Sequence, residues 1–105
     1  MFKNQIGDIE MDIENNYFQA GLCCDFRGLI KKSSKWGLAF LIDTERSSFG
    51  RESGTVLWGG IFNTYFFIDK KSGIAASIYS QHLPFNHSAT INVFEKFTEI
   101  LYSKN

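Results

Sequence analysis

The sequence predicts an α+β domain, in which an antiparallel β-sheet of three to four strands carries a C-terminal amphipathic helix on one face. Strand-like runs of β-branched and aromatic residues follow one another between positions 36 and 81, with short polar or glycine-containing stretches between them. The last apolar run changes to helical spacing. The chain has 105 residues, so we expect one domain over 1–105, with 1–35 mostly extended or loop, 36–81 forming the sheet and 87–103 the helix.

The N-terminal region alternates between apolar and acidic residues from Asp8 to Glu14. This period is typical of a half-buried edge strand or an extended segment. The four acids of this run could also suggest a metal site, but no histidine accompanies them, so we favour a solvated strand face and expect no metal.

The predicted sheet begins with an almost wholly apolar strand from Trp36 to Asp43, followed by a polar loop. Three further strands are predicted from Gly54 to Trp58, from Asn63 to Asp69 and from Ile74 to Ser80. Residues Thr64 to Ile68 are β-branched or aromatic at every position, which favours a strand buried on both faces. The polar stretch before Ile74 ends in a glycine and predicts a hairpin turn.

The C-terminal region predicts a helix that lies on this sheet. Pro84 stops the preceding run, and Asn86 or Ser88 can cap the helix. An apolar stripe repeats at helical spacing through Val93, Phe94, Phe97, Ile100 and Leu101.

Composition excludes several classes of function. The formal net charge is zero, which argues against a nucleic-acid surface. No apolar run approaches the roughly 20 residues of a membrane helix, and the N-terminus lacks the apolar core of a signal peptide, so we expect a cytoplasmic chain without a membrane span. Adjacent Cys23 and Cys24 are interpreted as free thiols of a reduced compartment, and no cofactor is indicated.

Isolated chemical groups elsewhere in the chain carry weak functional signals. His82 and His87 flank a proline in a loop, and two histidines fall short of the three or four ligands of a metal site. A thiol nucleophile formed by Cys23 or Cys24 with a histidine lacks any neighbour that would lower a thiol pKa. Trp58 is by residue type more typical of a core position, although an aromatic side chain can also line a pocket.

Four ordered motifs carry a family resemblance over nearly the whole chain. They are Trp36-Gly37-Leu38-Ala39-Phe40, Trp58-Gly59-Gly60, Asn63-Thr64-Tyr65-Phe66-Phe67-Ile68-Asp69 and Ser80-Gln81-His82-Leu83-Pro84-Phe85. In this order and spacing the chain resembles the C-terminal part of the serine β-lactamase and penicillin-binding-protein superfamily, nearest to the class C-like esterases. The resemblance implies a parent that hydrolyses esters, amides or β-lactams by acyl transfer, and it leaves a periplasmic location open to the parent family.

The resemblance implies one wall of an acyl-transfer site. Trp58, Gly59 and Gly60 match the tryptophan-containing variant of the superfamily's third motif, and the backbone N–H of Ile61 would then be one oxyanion donor. Tryptophan in place of the usual lysine weakens carboxylate recognition, which favours uncharged esters over β-lactam or peptidoglycan substrates.

The other two superfamily motifs are absent from the sequence. No serine is followed by lysine at Ser-x-x-Lys spacing, and no tyrosine begins Tyr-x-Asn. The expectation is therefore a C-terminal fragment, a truncated gene product or a remnant domain that is inactive alone, with an upstream hydrolase half as a possible partner. We also expect this chain to form dimers or higher homo-oligomers through an exposed strand edge or an exchanged helix. Two alternatives stay open. One is a non-catalytic interaction module that self-associates through an exposed strand edge, and the other is an unrelated ligand-binding α+β domain with a closed sheet and a pocket away from Trp58.

Overall fold

Five strands and one helix form the fold in the computed structural model, which describes residues 1–13, 24, 26 and 28–103. In chain order they are β1 (Lys35–Trp36), β2 (Leu41–Ile42), β3 (Val56–Gly60), β4 (Thr64–Asp69), β5 (Ile74–Ile78) and α1 (Ser88–Ser103). The strands form one antiparallel sheet in the order β1-β2-β3-β4-β5. The predicted α+β class, with an antiparallel sheet and one C-terminal helix, is confirmed.

The sheet has five strands because the first predicted strand is a short hairpin. Gly37 ends β1, and its N–H donates to the Phe40 carbonyl across the turn, so that Trp36 pairs with Leu41. A side chain at position 37 would collide with the backbone oxygen of Met1, so the N-terminal segment can cross here only over a glycine. The prediction of one continuous strand from Trp36 to Asp43 was wrong on this point.

The central strand β4 has two unequal faces. Tyr65, Phe67 and Asp69 are buried beneath the helix, whereas the residues between them are half-buried. Phe66 on the second face is half-buried and packs edge-to-face on the ring of Phe40, at 5.6 Å between centroids. The prediction that this strand is buried on both faces was therefore wrong, since the apolar run alone did not show that only one face carries a full layer.

Helix α1 packs on the sheet through a stripe shifted from the predicted one. Ile91, Phe94 and Thr98 are its buried residues, and the Phe94 ring lies 5.2 Å from Tyr65 and 6.2 Å from Phe67. Val93 and Ile100, which the sequence assigned to the core-facing stripe, are 60% and 56% exposed. The helix therefore has apolar residues on its core face and on one flank as well.

The helix is capped by a residue that the sequence prediction missed. The imidazole Nδ1 of His87 accepts a hydrogen bond from the N–H of Ala89, and the backbone carbonyl of His87 accepts one from the N–H of Ile91. Asn86 instead has a positive φ of 61° and leads the chain into the helix, and Ser88 is the first helical residue. His87 thus satisfies an N–H that the first turn leaves unpaired.

The N-terminal segment turns at residues 6–8 and forms no strand over its described residues, so the edge-strand option is wrong there. It runs along β1, where Gln5 N–H donates to the Trp36 carbonyl and Lys35 Nζ donates to the Ile9 carbonyl. Met11 and Ile13 pack against the core, while Ile9 is exposed. Glu14 and Cys23 lie outside the described residues.

A buried ion pair holds the loop between β2 and β3 under the helix. Arg51 Nη2 donates to Asp43 Oδ2 at 3.2 Å, and both side chains are almost fully buried. The guanidinium also lies 5.5 Å from the Phe67 ring centroid and 5.6 Å from that of Phe94. Within the described part of the chain, no helix is long and apolar enough to cross a membrane.

Candidate functional site

The end of β3 forms an open edge at the residues that the third motif predicts. Strand β2 pairs only with Val56 and Leu57, so no described strand faces Trp58, Gly59 or Gly60 on that side. The Gly60 carbonyl accepts from a residue of the following turn on the β4 side. Because backbone polar groups alternate in direction along an antiparallel strand, those of Gly59 point to the open edge.

The two glycines of the motif occupy their positions for different physical reasons. A Cβ on Gly59 would lie 2.6 Å from the Tyr65 ring, so glycine is required here by packing alone. A Cβ on Gly60 would meet nothing within 4 Å, and Gly60 is exposed. Gly60 therefore has free space beside it, as close approach of another molecule would require.

Trp58 is a half-buried part of an aromatic cluster. Its ring lies 4.9 Å from Trp36 in an edge-to-face arrangement and 6.2 Å from Phe85. Trp58 can therefore be both a core residue and a pocket wall, since one side of the indole packs inward while part of it stays accessible.

The turn after Gly60 presents two apolar residues and one backbone donor. Ile61 and Phe62 are 50% and 51% exposed. Within the described part of the chain, the N–H of Ile61 donates to no protein acceptor. An exposed, unengaged N–H at the end of an open edge is the type of group that can stabilise an oxyanion.

Asn63 fixes this turn, and the sequence analysis did not single it out. It is fully buried with a φ of 64°, the left-handed residue that a three-residue hairpin loop requires. Its Nδ2 donates to the carbonyls of His82 and Pro84 at 2.7 and 2.8 Å. Its Oδ1 accepts from the Tyr65 hydroxyl at 2.5 Å and from the His87 N–H at 3.3 Å. A three-residue loop ending in asparagine was the sequence signal that could have revealed it.

The loop between β5 and α1 is held against the same turn. His82 N–H donates to the Phe62 carbonyl, and the Ser80 hydroxyl lies 2.7 and 2.8 Å from the carbonyl oxygens of Phe62 and Asn63. The Ser80 hydroxyl is therefore occupied in fixing the turn. The His82 and His87 rings lie 4.9 Å apart, but His87 caps the helix through Nδ1.

The remaining candidates do not assemble into a second site. Cys24 is half-buried, and its N–H donates to the Phe85 carbonyl. Among the described residues, no group of three or more histidine, cysteine and acidic side chains could hold a metal ion. A surface cleft of about 460 Å³ lies away from Trp58, between α1 and the segment around Gly28. Over the described residues the sheet is open at β5, unlike the closed sheet that the ligand-binding alternative predicts.

Comparison with known proteins identifies the fold. No protein-family profile and no curated protein matches this sequence. Three structures of the simvastatin synthase LovD from Aspergillus terreus are similar, namely the LovD6 mutant, the unliganded enzyme and its selenomethionyl derivative, each with a TM-score of 0.64 and 25% identity. The alignments cover 68% of this chain and only 18% to 19% of LovD.

LovD is an acyltransferase of the serine β-lactamase-like superfamily, so the resemblance inferred from the motifs is confirmed at the level of the fold. The described sheet and helix match part of that fold.

Proposed function

We propose that this chain is the C-terminal portion of a β-lactamase-related serine hydrolase or acyltransferase and supplies the third-motif wall of its acyl-transfer site. In this role Trp58, Gly59 and Gly60 border the substrate, and the N–H of Ile61 donates to the oxyanion that develops on the acyl carbonyl. The observation that carries the proposal is the open outer edge of β3, with an exposed Gly60 and an unengaged Ile61 N–H, in a sheet that shares its fold with LovD.

The side chains around this edge favour an uncharged, apolar acyl group. Ile61 and Phe62 expose apolar surface beside the edge, and Trp58 contributes an indole where a lysine would bind a carboxylate. No cationic side chain stands at the third-motif position, so recognition would rest on shape and apolar contact.

The nucleophile and the general base of the proposed site come from another polypeptide segment. The chain has no Ser-x-x-Lys and no Tyr-x-Asn, and the Ser80 hydroxyl near the turn is engaged with two carbonyls. We therefore propose that the isolated chain does not turn over esters, and that a segment carrying a serine nucleophile completes the site.

A first experiment tests inactivity of the isolated chain. The purified chain is incubated with a short-chain p-nitrophenyl ester, and separately with a fluorophosphonate probe followed by peptide mass spectrometry. We expect no hydrolysis above the buffer rate and no serine adduct. A stoichiometric adduct on a single serine would contradict the assignment of the nucleophile to another segment.

A second experiment tests the wall itself. The aligned segment of LovD is replaced by this chain, and acyl transfer by the chimera is measured with and without Gly60→Val. We expect detectable transfer that Gly60→Val lowers at least about a hundredfold, because the valine side chain fills the space at the oxyanion wall. Ala75→Val, at an exposed position on the far edge, is the matched control and should retain the activity. Equal activity of both variants would refute the assignment of the wall.

A non-catalytic, self-associating module is the second candidate function. It is favoured by the outer edge of β5, along which no described strand pairs. Such an edge offers free backbone donors and acceptors to another chain.

A further inference from the structure

The two edges of the sheet are protected very differently. The β1 edge is two residues long, contains Lys35 and is covered by the N-terminal segment through Gln5. The β5 edge is five residues long, and the run from Ile74 to Gln81 contains no charged residue and no proline. Proteins commonly guard free edges with short strands, lysine, proline or a covering segment. Within the described part of the chain, β1 is guarded in these ways, whereas no strand pairs with the outer edge of β5.

Helix α1 covers the core-facing side chains of β5 only partly. Ile74, Ala76 and Ile78 lie across from Asp69, Phe67 and Tyr65 and therefore share the face beneath α1, yet they are only half-buried. The acidic flank of α1 faces the loops on the other side, since Glu95 lies near Gly28 and Glu99 borders the loop 46–50.

The opposite flank of α1, which we call the apolar flank, consists of Val93, Phe97 and Ile100 at helical spacing. Because the acidic flank faces the loops on the other side, we infer that the apolar flank is on the β5 side of α1; Val93 and Ile100 are largely exposed. An unguarded strand edge and an exposed apolar flank thus adjoin each other.

We propose that a second copy of this chain covers this surface, with β5 of each copy pairing antiparallel about a two-fold axis at Ala76. This rests on the second candidate function and makes its self-association specific, whereas the proposed acyl-transfer wall lies elsewhere, on β3.

The backbone pattern of β5 suits this pairing. The Gly73 N–H donates to the Asp69 carbonyl, so the polar groups of Asp69 point toward β5. By alternation, Ile74, Ala76 and Ile78 bond to β4, and the N–H and carbonyl groups of Ala75 and Ser77 point outward. A two-fold axis at Ala76 aligns Ala75 of one copy with Ser77 of the other, so that each outward group finds a partner.

The side chains are also self-complementary in this register. Ile74 lies opposite Ile78 of the second copy on the face beneath the helices, and small residues meet at the centre. The lysine-containing turn 70–73 of each copy lies at opposite ends of the junction, whereas parallel pairing would bring the two turns together. The two β4 strands are then three strand spacings, about 14 Å, apart, so that the apolar flanks of helices about 10 Å wide approach each other over the junction.

Sedimentation velocity over a dilution series tests the proposal, with a charge variant as the perturbation. Ala75→Lys with Ser77→Lys changes two exposed side chains and sets lysines opposite lysines across the junction. We expect a dimer for the unchanged chain and a dissociation constant at least about tenfold higher for the double variant. Leu38→Lys, at an exposed apolar position in the turn beside the protected edge, is the matched control and should dimerise normally.

Two further measurements fix the register. The double lysine variant mixed with Ala75→Glu plus Ser77→Glu should form a heterodimer, since opposite charges then face each other. In the unchanged chain, amide hydrogen exchange at Ala75 and Ser77 should slow as concentration rises, a readout that requires no variant.

Three outcomes would overturn the proposal: a monomer at every concentration, a lysine variant that dimerises as tightly as the unchanged chain, or concentration-independent exchange at both amides. A monomer would leave the acyl-transfer proposal standing, because that depends on the LovD chimera and the ester assay.

Discussion

Replacing Asn63 should be among the most damaging single changes in this chain. Its side chain makes four hydrogen bonds while fully buried, to His82, Pro84, Tyr65 and His87. At about 1 kcal/mol for each bond, their loss in Asn63→Ala costs about 4 kcal/mol. Alanine at a positive φ of 64° adds about 1 kcal/mol, for a total of about 5 kcal/mol. This equals the whole stability of many small domains.

Urea unfolding followed by tryptophan fluorescence measures this cost. Asn63→Gly is the matched control, because glycine keeps the backbone conformation while losing the same four bonds; it should be about 1 kcal/mol more stable than the alanine variant. Tyr65→Phe removes the bond from the tyrosine hydroxyl to Asn63 and also the bond that the hydroxyl accepts from the Asn86 N–H, and should cost about 2 kcal/mol. A cost below about 2 kcal/mol for Asn63→Ala would refute the view that this side chain holds the turn and the following loop together.

Three further changes have measurable outcomes in the same unfolding assay. Gly59→Ala should destabilise the fold by about 1 to 3 kcal/mol because its Cβ meets a buried tyrosine ring, whereas Gly60→Ala should change stability by less than about 1 kcal/mol; equal costs would contradict the packing argument. Burial alone raises the pKa of Asp69, but hydrogen bonds from two backbone N–H groups and a tyrosine hydroxyl outweigh it and lower the pKa from 3.8 to about 2. Because the folded pKa is depressed, the stabilisation is present above pH 4 and is lost as the pH falls toward 2. This stabilisation amounts to about 2 kcal/mol, and the Asp69→Asn variant should lack it. If the free energy of unfolding of Asp69→Asn fell as steeply between pH 4 and pH 2 as that of the unchanged chain, the assignment to Asp69 would be wrong. Arg51→Ala should lower the free energy of unfolding by about 3 kcal/mol because it leaves the buried Asp43 carboxylate unpaired. Arg46→Ala, which breaks an exposed ion pair, should lower it by less than about 1 kcal/mol. Similar costs for the two variants would show that burial does not determine how much an ion pair contributes to stability.

The sequence predicted the sheet and the helix well where periodicity and turn chemistry agreed. The hairpin before Ile74 and the change to helical spacing after Pro84 are local signals, and the strands and the helix form there. Burial was harder to predict, because it depends on what covers each face. Val93 fits a helical stripe as well as Phe94 does, yet only Phe94 meets the aromatic rings of β4.

The candidate site was predictable only in its motif residues. Trp58, Gly59, Gly60 and Ile61 could be selected by resemblance, but the different reasons for the two glycines appear only with the Tyr65 ring in place. The hydrogen bonds of Asn63 join segments about 20 positions apart, a distance over which single-sequence patterns carry no information. His87 was likewise interpreted as a surface-loop residue, since its role depends on where the helix begins.

The strand order has a consequence for how this chain folds. Each described strand pairs with its neighbour in sequence, and three of the four pairings close short loops, of four residues at 37–40, three at 61–63 and four at 70–73. Closing short loops costs little chain entropy, and such local topologies fold fast. The hairpin of β3 and β4 can therefore form early, and it carries the proposed acyl-transfer wall. Docking of α1 onto β4 spans a much longer stretch and would come later, as the step that gives the hairpin its lasting stability.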